Sequence, residues 1–140
     1  MFVFDYKLRV RYAETDQMGY VYYGNYAAFY EVARTEMLRH TGISYKELED
    51  MGVMLPVIEL HTKYIQPALY DDLITVRTTI REKPGVRIKF EYEVFNEQGD
   101  LLNTGMTQLV FVDIQKNRPC KSPQIFQDKM NVYFPDRKDG

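Results

Sequence analysis

One long stretch of this 140-residue chain carries apolar side chains at helical spacing. Tyr26, Phe29, Tyr30, Ala33 and Met37 fall at i, i+3, i+4, i+7 and i+11, which is one face of a helix over 25–40. Glu31, Arg34 and Arg39 largely take other faces. Asn25 can cap the first turn, and Gly42 suits the position just past the last. Ser44 precedes Glu47 by three residues, the capping-box spacing, which predicts a short second helix ending near Met51. A lone amphipathic helix must bury its stripe against something else, and the small residues Ala27, Ala28 and Ala33 let a sheet come close to it.

That sheet is written in the rest of the chain. Over 2–13, Val3, Tyr6, Leu8, Val10 and Tyr12 mostly alternate with charged residues, the period of a half-buried strand. Stretches 55–66, 73–81, 87–96 and 101–114 are rich in Val, Ile, Thr, Tyr and Phe. Turn signals at Lys83-Pro84-Gly85 and Glu97-Gln98-Gly99-Asp100 join the last three into an antiparallel meander. Residues 122–130 read as a short terminal helix and 131–140 as a flexible tail, with 136–140 frayed. No repeat or linker interrupts the chain. The order of strand, long helix, short helix and four strands predicts one α+β domain over 1–140, a five-stranded antiparallel sheet against one long helix.

Charge and composition exclude several functions. Lys and Arg number 18 against 20 Asp and Glu, a net −2, so the basic footprint of a nucleic-acid binder is missing. No apolar run approaches the length of a membrane helix, and the first residues lack the pattern of a signal peptide. Cys120 is the single cysteine, which forbids an internal disulfide and fits a reducing cytoplasm. A cytoplasmic protein with no nucleic-acid or membrane partner is expected. There is no glycine-rich phosphate loop and no G-x-S-x-G elbow. His40 and His61 stand 21 residues apart without a cysteine at metal-ligand spacing, so no metal site is expected. His61 shares a strand face with Glu59 and Lys63 and reads as a solvated or interface residue; His40 complements the dipole at the helix end. The 12 Tyr and 8 Phe, with no Trp, suit either a β-rich core or a ligand cleft.

Chemistry then falls to a carboxylate. Asp16 sits in the polar break Glu14-Thr15-Asp16-Gln17-Met18-Gly19 between the first strand and the long helix. One reading is an ordinary turn or cap residue. The other is a nucleophile or base facing backbone N–H groups at the helix N-terminus, which would hold a substrate carbonyl oxygen. Arg87 and Lys89 on one strand face, and Lys116, Arg118 and Lys121 after the last strand, are either solvated surface or phosphate contacts.

The segment RVRYAETDQMGYVYYGNYAAFYEVARTEML, the run Tyr64-Ile65-Gln66-Pro67-Ala68 and the strand from Gly105 to Asp113 resemble hotdog-fold acyl-CoA thioesterases, and within them the 4-hydroxybenzoyl-CoA thioesterase-like family. The resemblance implies a hotdog fold and a homodimer, or a dimer of dimers, with the active site between subunits. It implies hydrolysis of an acyl-CoA thioester to the free acid and coenzyme A. Asp16 is then the nucleophile or general base, and the backbone N–H of Tyr23 polarises the carbonyl. Gly24 and Asn25 help form the site, and Arg87, Lys89 or Arg118 hold the coenzyme A phosphates. No cofactor is implied, since coenzyme A is part of the substrate. Many relatives have His where this chain has Tyr23, so Asp16 must act without an imidazole. A non-catalytic acyl-CoA-binding module is the alternative, and a dehydratase of the same fold ranks last because its catalytic His has no counterpart here.

Overall fold

In the computed structural model, which describes residues 1–135, the expected helix runs Tyr26–His40 (α1). Four of its buried residues are the large side chains Tyr26, Phe29, Tyr30 and Met37. Tyr, Phe, Val and Thr are mediocre helix formers, each costing up to about 0.7 kcal/mol against Ala. Burying each large stripe side chain contributes about 1.5–3 kcal/mol, so packing rather than propensity holds this helix. Ala33 lies at the contact, while Ala27 and Ala28 are exposed and play no part in the close approach. Arg34, expected on the solvent side, is buried as well. Asn25 does not cap α1; its backbone is already helical and its side chain reaches elsewhere. The capping box does form, with Ser44 and Glu47 exchanging hydrogen bonds ahead of Tyr45–Asp50 (α2).

The strands are Phe2–Arg9 (β1), Val53–Met54 (β2), Val57–Tyr64 (β3), Leu73–Ile80 (β4), Arg87–Phe95 (β5), Leu101–Val110 (β6), Val112–Asp113 (β7) and Arg118–Pro119 (β8); a terminal helix, Gln124–Asn131 (α3), follows. Five of them form one antiparallel sheet in the order β1-β4-β5-β6-β3, and β2, β7 and β8 form a small ribbon. The meander β4-β5-β6 is as expected. Between β3 and β4 the chain crosses from one edge of the sheet to the strand beside the other. Inward positions repeat every second residue: Ile74, Val76, Thr78 and Ile80 on β4, and Ile88, Phe90, Tyr92 and Val94 on β5. The sheet wraps α1 on that face.

Two sequence expectations shift at the ends. β1 stops at Arg9 rather than 13, because Glu14 folds back to accept from the Arg11 backbone N–H at 2.7 Å and from its guanidinium, closing a 3₁₀ turn, Tyr12–Glu14. Phe2, Phe4, Tyr6 and Leu8 supply the inward face of β1, and Val3 and Tyr12 are exposed. Within the expected tail, Tyr133 stacks on Phe2 with ring centroids 3.8 Å apart, and Phe134 also packs against the core. Residues 136–140 are outside the described part.

A polar cluster ties α1 to the sheet. The Tyr30 hydroxyl donates to Asn103 Oδ1 and shares a 2.8 Å hydrogen bond with Thr62; Asn103 Nδ2 donates to Thr62 Oγ1 at 3.0 Å. The Tyr30 ring lies flat on Tyr92, centroids 4.2 Å apart. Burial pushes the Tyr30 hydroxyl from its ordinary 10.0 up to about 12. The fold therefore prefers the neutral phenol: the stability it contributes is complete below pH 10 and is lost as pH rises toward 12. That displacement corresponds to on the order of 2–3 kcal/mol. Urea midpoints measured between about pH 9 and about pH 11.5 should fall, and Tyr30→Phe should remove one tyrosine's share of that slope.

Candidate active site

The break between β1 and α1 is closed on itself. Asp16 N–H donates to the Tyr20 carbonyl at 2.8 Å, and Gly19 N–H donates to the Asp16 carbonyl at 3.0 Å. Gly19 has φ +78°, a backbone state that costs other residues strain, which is why the loop turns there. The Asp16 side chain completes the loop: Oδ1 accepts from the N–H of Met18 at 2.9 Å and of Tyr20 at 3.2 Å. Its other oxygen has no hydrogen-bond partner among the described residues. One carboxylate oxygen holds the loop and the other is free.

Asn25 anchors the opposite end of the break. Its Nδ2 donates to the Glu14 carbonyl at 2.8 Å, and its backbone N–H to the Tyr22 carbonyl at 2.9 Å. Tyr22 N–H also donates to Glu14, at 2.9 Å. A 3₁₀ turn, Tyr23–Asn25, then leads into α1. The first N–H groups of a helical segment have no partner inside it; among the described residues the amides of Tyr23 and Gly24 make no hydrogen bond to the rest of the protein. A Cβ added at Gly24 would lie 2.8 Å from the ring of the exposed Tyr22, which would have to shift to admit it.

Asp16 and Tyr23 line the same cleft, about 280 Å³ in volume, with Tyr20, Val21, Tyr26, Tyr64, Ile65, Gln66 and Pro67. Four of its nine lining residues are tyrosines. Burial lifts the Tyr26 phenol above its ordinary value, so it stays neutral. The far wall comes from the segment after β3, which is strapped to the Asp16 loop: Val21 N–H donates to Ala68 and Tyr70 N–H to Gly19. Tyr64 reaches across and donates from its hydroxyl to the Tyr23 carbonyl at 3.2 Å. Its ring also meets Tyr23 and Tyr26 edge-on, at 6.2 and 5.6 Å. Tyr64 lies 41 residues beyond Tyr23, and no local sequence pattern pairs the two; the crossing strand order does.

The other expected site residues stand apart in one protomer. Arg87 and Lys89 line a different cavity, with Arg81, Lys83, Glu91 and Gln108, on the outer side of the sheet. Arg118 is exposed on β8, opposite Asp113. His61 faces outward and shares a 2.7 Å hydrogen bond with Glu59.

Residues 10–130 match the model of the thioesterase-like superfamily. The chain is 37% identical over 122 residues to the acyl-CoA thioester hydrolase YbgC of Escherichia coli O157:H7, covering 87% of this chain and 91% of that protein. A DHNA-CoA thioesterase from Staphylococcus aureus superposes with a TM-score of 0.82 at 34% identity, covering 97% of this chain and 86% of that one. A 4-hydroxybenzoyl-CoA thioesterase, solved with 4-hydroxybenzoyl-CoA bound, shares the fold at a TM-score of 0.79 and 20% identity, over 91% of this chain and 97% of that one. With its sheet wrapped around α1, this chain belongs to the thioesterase-like superfamily and has the hotdog fold.

Proposed function

We propose that this protein hydrolyses acyl-CoA thioesters, with Asp16 as the attacking or water-activating group and the amides of Tyr23 and Gly24 as the oxyanion site. Thioester hydrolysis is the chemistry of the superfamily to which the chain belongs. The observation that carries the residue assignment is the half-used Asp16 carboxylate in one cleft with Tyr23, whose unpaired amide, with that of the adjacent Gly24, opens the 3₁₀ turn ahead of α1. A carbonyl carbon set between them would have a carboxylate on one side and N–H donors on its oxygen. Thiolate leaves readily because a free thiol has a pKa of about 8.5, so no metal or redox cofactor is needed. A screen of short, long and aromatic acyl-CoAs, reading released thiol, tests this. Turnover of none of them, with binding retained, would leave the binding-module reading in its place.

The aromatic walls suit a flat or short acyl group, and the solved relative with 4-hydroxybenzoyl-CoA is one example of such a ligand. Tyr64 serves as a positioning residue through the Tyr23 carbonyl. Tyr64→Phe should lower kcat by about 3- to 10-fold with little change in KM, since one neutral hydrogen bond contributes about 0.5–1.5 kcal/mol. Equal loss in KM and none in kcat would assign Tyr64 to substrate binding instead.

Edge strand β3 supports a homodimer. Val57, Ile58, Leu60 and Ile65 are each more than 40% exposed on or beside it, and a long, apolar, unpaired edge invites another strand. Leu60 pairs in register with the buried Thr107 and so points to the helix side, where nothing in one protomer covers it. Light scattering should give at least twice the 16.6 kDa chain mass, and Leu60→Glu should return it toward the monomer. A wild-type monomer would remove the shared-sheet reading. Coenzyme A phosphates reaching Arg87, Lys89 or Arg118 would then come from the partner's site.

A further inference from the structure

Among the described residues Arg34 is the one buried cation, with 8% of its surface exposed. It projects from α1 into a cavity of about 180 Å³ between α1, α2 and β2, several times what one water needs. Tyr45 lines the same cavity with the apolar side chains of Leu48, Val53 and Leu55. Arg34 Nε and the Tyr45 hydroxyl are both buried without a hydrogen-bond partner. Burial works against the guanidinium charge, but the nearby Tyr92 and Tyr45 outweigh it; Arg34 forms a geometrically sound hydrogen bond with neither. Glu31 and Glu49 also line the cavity, yet both are exposed, and no carboxylate among the described residues comes within 4.0 Å of Arg34. None of these residues lines the Asp16 cleft.

We propose that Arg34 and Tyr45 form a second small-molecule site, distinct from the Asp16 cleft, that takes a small monocarboxylic acid. A buried guanidinium without a counter-ion is costly, and its planar fork matches a carboxylate. The Tyr45 hydroxyl supplies a further donor to the same group, and Leu48, Val53 and Leu55 accept an apolar body. Glu31 and Glu49 repel multiply charged anions, which selects against phosphate and against coenzyme A itself. The free acid released by thioester hydrolysis is one member of the selected class, so the site can report product concentration. The binding claim itself does not depend on the role given to Asp16.

Calorimetric titration of the intact protein with sodium benzoate, sodium butyrate, benzamide and inorganic phosphate tests it. Benzoate should bind at least about tenfold more tightly than benzamide, because the charged hydrogen bond is the stronger one, and phosphate should give no saturable heat. Arg34→Gln should abolish benzoate binding. Tyr45→Phe, which removes a single oxygen and keeps the packing, should weaken it by about 3- to 10-fold. Asp16→Asn should leave benzoate binding unchanged whether or not it stops turnover, which separates this site from the cleft. Equal affinity for benzoate and benzamide, no saturation by benzoate, an unaltered affinity in Tyr45→Phe, or loss of binding in Asp16→Asn would each overturn the proposal.

Discussion

Asp16→Asn is expected to lower acyl-CoA turnover by about 10²–10⁴-fold, the usual contribution of a positioned base, without unfolding the protein. The reason lies in how the two carboxylate oxygens are used. Oδ1 accepts the Met18 and Tyr20 amides and closes the loop. Asn keeps an oxygen in that place, so the loop and Gly19 turn survive. The unpaired oxygen becomes an amide nitrogen, which neither attacks a carbonyl nor takes a proton from water. Asp16→Ala is the contrasting variant: it loses the base and leaves two amides without their acceptor, so it should lose stability as well, by about 1–2 kcal/mol. Thiol release and a thermal melt on both variants separate chemistry from folding. An Asn variant that melts normally and turns over at the wild-type rate would take Asp16 out of the reaction.

Gly105→Ala is the substitution expected to damage the fold most for its size. Gly105 sits on the inward face of β6, opposite Thr62 on β3 and Tyr92 on β5. The Tyr30 ring lies directly over it. A Cβ added there would stand 2.6 Å from Tyr30 Cε2, well inside van der Waals contact. Tyr30 cannot step aside, because its ring is stacked on Tyr92 and its hydroxyl is bound to Thr62 and Asn103. Either α1 lifts from the sheet or the cluster breaks. Overpacking of this kind costs about 1–3 kcal/mol or more, and loss of the buried hydrogen bonds adds to it, so the melting temperature should drop by about 10 °C. The pairing with Tyr30 is checked by a double-mutant cycle: Gly105→Ala should cost much less when Tyr30 is already Ala. A single variant that melts like the wild type would mean that α1 does not rest on Gly105.

Both outcomes rest on features of different legibility. The α1 stripe is readable because a period of 3.6 among apolar residues arises from little besides a helix buried along one side, and Tyr26, Phe29, Tyr30, Ala33 and Met37 are all buried. Arg34 breaks the pattern. At i+4 from Tyr30 and i+8 from Tyr26 it shares the stripe's side, but its charge makes it read as solvated, and the structure shows it buried beside the pocket between α1 and α2. Asn25 departs from expectation for a related reason: Asn before a helix suggests a cap, but a 3₁₀ turn already occupies that position and frees the side chain to bind Glu14. The site is legible in the same uneven way. Asp16 and Tyr23 stand seven positions apart in a motif, so the sequence alone suggests them together. Tyr64 enters the cleft only through strand order.

Local chemistry in the chain was enough for the three helices and the five long strands, the three-strand meander, the capping box at Ser44 and the loop that carries Asp16, since each depends on side-chain period or on contacts within a few residues. Tertiary structure alone settled three other matters. It set β3 beside β6 rather than β4, brought Tyr64 to the Tyr23 carbonyl, and placed the buried Arg34 and the half-buried Tyr45 around one cavity. Those depend on which surfaces meet across the core, and residues distant along a chain carry no periodic signal of one another until the sheet has closed around the helix.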